Sequence, residues 1–164
     1  MQLEEFNALD AREADAVVRP CVDVDRWVAE VLEGRPYDSV DGLLDAAGQA
    51  ASPFTGEEVE GALAHHPRIG QRAEGGSAEA SLSRSEQAGV GIDAEVTERL
   101  RAGNLAYEER FGRVFLIRAA GRDAEEILAE LTRRLENTEE EETPIVAEQL
   151  RQIAVLRLEG IVAR

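Results

Sequence analysis

Apolar positions along the chain recur mostly at intervals of three and four residues, the period of a helix with one buried face. In residues 22–34, Trp27, Val28, Val31 and Leu32 form one stripe that stops at Gly34, with Pro36 just beyond. Ser39, a residue type that accepts from orphan N–H groups at helix starts, precedes Val40, Leu43, Leu44 and Ala47, which share a side. Thr55 and Glu58 have capping-box spacing ahead of Val59 and Leu63. Asp93 opens a stretch that ends at Gly112 and reads either as one long helix or as a pair broken at Gly103. Asp123 and Glu126 open the next, where Ile127, Leu128, Leu131 and Leu135 make the clearest stripe so far. Thr138 begins the last segment, with acids crowded where the helix dipole favours them; Pro144 places the start of ordered helix near residue 143.

Two stretches depart from this pattern. VFLI, residues 114–117, is an unbroken apolar run that fits a short buried strand or a buried helical turn; with no second strand to pair it, helix or buried turn is favoured. Residues 72–83, RAEGGSAEASLS, are the most loop-like. The chain shows no internal repeat. At 164 residues it is expected to form one all-α domain over 1–164, a compact bundle of about seven or eight helices with room for a pocket.

Charge narrows the partners. The formal charge is −16, from 34 acidic and 18 basic residues, and every basic residue is arginine. Such a chain repels phosphate backbones, so no nucleic-acid partner is expected, and most of the acidity reads as a solvated surface. Cys21 stands alone, so one subunit builds neither a disulfide nor a cysteine-based zinc site; a reducing compartment follows most simply. The N-terminus lacks the features of a signal peptide, no apolar run reaches membrane-spanning length, and the closing GIVAR is no peroxisomal address. A cytoplasmic protein without a membrane partner is expected.

Candidate chemistry lies where polar residues occupy core-facing positions. Val59, Leu63 and His66 are spaced i, i+4, i+7 and share a face, whereas His65 points elsewhere. Pro67 disfavours the α region for His66, which makes it the last residue of its helix on the inward side. That histidine is either a satisfied core residue, a cation at a helix C-terminus, or a reactive group. Adjacent histidines point apart and HExxH is absent, so no metal site is expected. Arg157 continues the stripe of Val146, Leu150 and Ile153; its guanidinium either meets an anion in the core or snorkels outward from a packed stem. Ser83 and Glu86 have capping-box spacing, and with Gln87 the same geometry offers a polar ligand site at a helix N-terminus. Together these groups suit a pocket for a small anionic molecule, with no nucleotide loop and no metal. A non-enzymatic helical ligand-binding or interaction module is the contrasting reading.

HPRIG at 66–70, SRSEQAGV at 83–90, NLAYEERFGRVFLI at 104–117 and QLRQIAVLRL at 149–158 occur in an order that resembles the 2-oxo-4-hydroxy-4-carboxy-5-ureidoimidazoline (OHCU) decarboxylases. LEEFNALDAREA, residues 3–14, is similar to the opening helix of that family. The resemblance implies an all-helical fold, usually dimeric, that uses neither metal nor organic cofactor. It implies decarboxylation of a carboxylated ureidoimidazoline to (S)-allantoin, the last step from urate to allantoin; a related heterocyclic acid is the nearer alternative substrate. By the same resemblance His66 and Glu86 are catalytic. Pro67, Ser83, Gln87, Phe115, Leu116, Ile117, Arg118, Ala119 and Arg157 bind substrate, with Arg151 the weaker choice for the C-terminal arginine.

Overall fold

The computed structural model describes residues 1–64, 66–69, 78–87 and 93–162. Among them are nine helices and no strand: α1 (Leu3–Ala8), α2 (Ala11–Val18), α3 (Asp25–Glu33), α4 (Val40–Ala50), α5 (Gly56–Leu63), α6 (Ala78–Gln87), α7 (Ala94–Phe111), α8 (Ala124–Arg134) and α9 (Glu139–Ile161). The expected caps hold: Ser39, Thr55, Asp93, Asp123 and Thr138 each accept a hydrogen bond from a first-turn N–H. The opening segment is two helices, not one. Leu9 is extended, and Asp10 starts α2 by accepting from Glu13 N at 2.8 Å while Glu13 accepts from Asp10 N.

Two apolar clusters organise the chain. Phe6, Trp27, Leu43, Leu63, Leu150 and Leu158 belong to the first, where α9 packs on α4 and α5, and α3 on α2 and α4. Val96, Leu100, Tyr107, Ile127 and Leu131 belong to the second, between α7 and α8. The VFLI run joins them, and it is not helical. Phe115 and Ile117 face the second cluster while Leu116 faces the first, the two-residue alternation of an extended chain. Burial on both sides explains why Phe115, Leu116 and Ile117 follow one another without a polar residue between them. With no neighbouring strand among the described residues, side chains bond to the backbone: Arg134 Nη1 donates to Leu116 O at 2.8 Å, and Arg118 N donates to Gln149 Oε1 at 2.9 Å.

Helix α9 begins at Glu139, ahead of the start expected from Pro144, which sits inside it. Glu142, with a fully buried side chain, holds this first turn inward. It accepts from Tyr107 Oη and Arg134 Nε at 2.7 Å each, and from Asn137 Nδ2 at 2.9 Å. Arg134 is equally buried and stacks over the Phe115 ring at 4.6 Å. Burial, then the Glu142 carboxylate, push the Tyr107 hydroxyl up to about 12, so it stays a donor.

Helix α7 is continuous through Gly103. A Cβ there would overlap Leu131 Cδ2 and lie 3.2 Å from Leu131 Cγ, so the missing side chain lets α7 and α8 approach. Gly103→Ala is therefore expected to lower stability by about 1–3 kcal/mol despite alanine's better helix propensity. Thermal denaturation measures this, and a stabilised variant would show that the interface yields. Gly112 ends the helix at φ 69°, as a left-handed cap.

Candidate functional site

Helix α5 ends at Leu63 with Ala64 as its cap, so His66 lies just beyond the helix, not on its last turn. A tight turn carries it inward: His66 N donates to Leu63 O at 3.1 Å, and the imidazole is only 6% exposed. Its Nε2 lies 4.0 Å from Glu79 Oε1, on the first turn of α6. Pro67 is half-buried beside it. His65 lies outside the described residues.

The segment expected to be a loop is partly helical. Residues 78–83 belong to α6, and 72–77 lie outside the described residues. Ser83 is consequently inside a helix and not at its start; SRSEQ occupies the last residues of α6 instead of a helix N-terminus. The side chains of Ser83 and Gln87 also lie outside what is described. Glu79 and Glu86 are spaced i, i+7, which puts both carboxylates on one face, about 10 Å apart along the axis.

At the second of those positions the core-facing arginine finds its anion. Arg157 Nε donates to Glu86 Oε1 at 2.5 Å and Nη2 to Glu86 Oε2 at 3.0 Å, a fork-to-fork pair between α9 and α6. Arg157 Nη1 reaches the carbonyls of Pro20 and Cys21 at 3.4 and 3.3 Å. The Arg157 side chain is 2% exposed, and Glu86 18%. Arg151 does not share this site: its Nε donates to Gly48 O at 3.0 Å and its Nη1 to Glu148 at 3.0 Å. Burial pushes the Cys21 thiol up to about 12, which leaves it protonated and unreactive beside the pair.

Helix α6 thus meets His66 near one end and Arg157 near the other, with Glu86 paired to the arginine and Glu79 beside the imidazole. Phe115, Leu116, Ile117 and Ala119 are buried. The Arg118 side chain instead lines a cleft of about 550 Å³ with Asp45, Gln49, Arg151, Gln152 and Glu159, a cleft bordered by none of His66, Glu86 and Arg157. Among the described residues no three His, Cys, Asp or Glu side chains gather as metal ligands.

Sequence reasoning overlooked Glu79 and the groups that hold the His66 turn on α7. Arg68 Nε and Nη2 pair with Glu108 Oε1 and Oε2 at 2.5 and 2.8 Å, and Asn104 Nδ2 donates to Ile69 O at 2.8 Å. Asn104 was detectable. It continues the buried stripe of Val96 and Leu100, the same anomaly that singles out His66 and Arg157.

Known proteins match along nearly the whole chain. The family model described as OHCU decarboxylase matches residues 7–159. The 2-oxo-4-hydroxy-4-carboxy-5-ureidoimidazoline decarboxylase of Amia calva is 33% identical over 137 residues, 82% of this chain and 78% of that protein. Its namesake from Haloferax volcanii is 33% identical over 139 residues, 80% of this chain and 79% of that protein. A crystal structure of OHCU decarboxylase in the presence of (S)-allantoin shares the fold at TM-score 0.71 and 22% identity, over 88% of this chain and 96% of its own. With the family model running from α1 into the last turns of α9 and relatives a third identical over four fifths of its length, the chain belongs to the OHCU decarboxylase family.

Proposed function

We infer that this chain is a carboxy-lyase that converts 2-oxo-4-hydroxy-4-carboxy-5-ureidoimidazoline to (S)-allantoin and carbon dioxide, completing the passage from urate to allantoin. The family match over residues 7–159 carries this reading. The reaction breaks the bond between the ring and its carboxylate; the electron pair stays on the ring as an enolate-like system, and a proton then arrives on one face. His66, shielded from water with a carboxylate 4.0 Å away, is the group suited to hold and deliver that proton. Pro67, Ser83, Gln87 and the backbone of 115–119 position the ring around it.

Glu86 and Arg157 act as a pair. A guanidinium that bound the departing carboxylate tightly would stabilise the ground state and gain no rate. Already neutralised by Glu86, Arg157 is better suited to an oxygen that gains charge as carbon dioxide leaves, and Glu86 to the ureido N–H groups. The enzyme works as one cytoplasmic domain, in a homodimer, without metal or organic cofactor. No helix of the described residues is long and apolar enough to cross a membrane.

The test is to add the protein to freshly generated urate-oxidation intermediate and follow circular dichroism. Faster loss of the intermediate with growth of optically active allantoin is expected. Racemic product at the uncatalysed rate would favour a binding module.

A further inference from the structure

Residues 66–69, which carry His66, lie outside the helices, and two residues one helical turn apart on α7 hold them at two points. Asn104 donates from Nδ2 to Ile69 O at 2.8 Å, and Glu108 receives the Arg68 guanidinium through both oxygens at 2.5 and 2.8 Å. Positions i and i+4 of a helix lie on one face, so both bonds pull the turn against the same rail. That rail is rigid: α7 packs on α8, and Tyr107 on α7 donates to the buried Glu142 of α9. On its other side the turn leaves α5, whose Leu63 is anchored in the first apolar cluster. Ile69 itself is buried in the second.

The choice of asparagine is informative. Asn104 is 3% exposed, and its Oδ1 is buried without a hydrogen-bond partner among the described residues. A leucine would fill an apolar stripe without leaving such an atom, so the carboxamide is a local cost that only the bond to Ile69 O offsets. Glu108, at 20% exposure against 43% for Arg68, is the more buried partner of its pair.

We propose that Asn104 and Glu108 are positioning residues for His66: they fix residues 66–69 against α7 and thereby set the place and orientation of the imidazole. This rests on the reading of His66 as the acid–base group. A displacement of about 1 Å at a reacting group costs on the order of 100-fold in rate, so a loosened clamp lowers turnover without touching substrate.

The experiment compares full-length wild type with Glu108→Ala, Glu108→Gln, Asn104→Leu and, as control, Glu98→Ala, which removes an exposed pair with Arg101 on the same helix. Steady-state kinetics are read beside the imidazole NMR signals, which are easily assigned because the chain holds only two histidines. Glu108→Ala and Asn104→Leu should lower kcat at least about 10-fold, leave KM within about 3-fold, and broaden or move the His66 resonances. Glu108→Gln, which still accepts from Arg68, should recover most of kcat, and Glu98→Ala should match wild type. Unchanged His66 resonances in both clamp variants, or equal losses in Glu98→Ala, would overturn the proposal. If the wild type itself fails to turn over the intermediate while the clamp variants still shift His66, the clamp stands and the decarboxylase reading falls.

Discussion

His66→Asn is expected to lower stereoselective turnover by at least about 100-fold, the lower range for removal of a positioned acid–base group, while circular dichroism and the thermal midpoint stay near wild type. The imidazole is almost wholly buried, and its backbone N–H already closes the turn on Leu63 O, so asparagine keeps the local fold while losing the proton. His65→Asn should remain active. Near-wild-type rates for the first variant would remove His66 from the reaction; loss of activity in a folded His65→Asn protein would mean that the neighbour carries it.

The largest stability effect is expected at Glu142. Its carboxylate receives Tyr107, Arg134 and Asn137, and the guanidinium it neutralises has no exposed surface. Glu142→Ala leaves that cation buried and uncompensated, a loss of about 3–5 kcal/mol, large against the marginal stability of a domain. Urea denaturation would read it as an early midpoint, whereas Glu98→Ala, on an exposed pair, should leave the midpoint in place. A loss below about 1 kcal/mol would show that water reaches Arg134 once the carboxylate is gone. Because Arg134 also holds Leu116 O, the damage should extend to the 115–119 backbone, and activity should fall further than the folded fraction.

Most helices were legible because their signals are local. Thr55 with Glu58 and Asp123 with Glu126 are capping boxes that need only their own first turn. Where local signals compete, tertiary contacts decide. Pro144 argues for a late start to α9, but Thr138 caps Glu141 N and the buried Glu142 pins the first turn, so tertiary contacts outweigh one missing N–H. VFLI has no helical period because Phe115 and Ile117 are covered by one cluster and Leu116 by the other. Ser83 and Glu86 have the spacing of a helix start, yet both fall in the second half of a helix that runs from Ala78 to Gln87.

By itself the sequence determined the all-α class, most caps, and two polar residues on core-facing stripes, His66 and Arg157, with Glu86 singled out by motif and not by its helical phase. Periodicity and motif order are properties of neighbouring residues, so no folded structure is needed to read them. Only the tertiary structure decided how those residues are partnered. It joined Glu86 to Arg157 across 71 positions, brought Glu79 toward the imidazole, and tied the His66 turn to Asn104 and Glu108 on α7. Pairing of buried charges depends on which helices pack together, and that is fixed by the shape of the whole core.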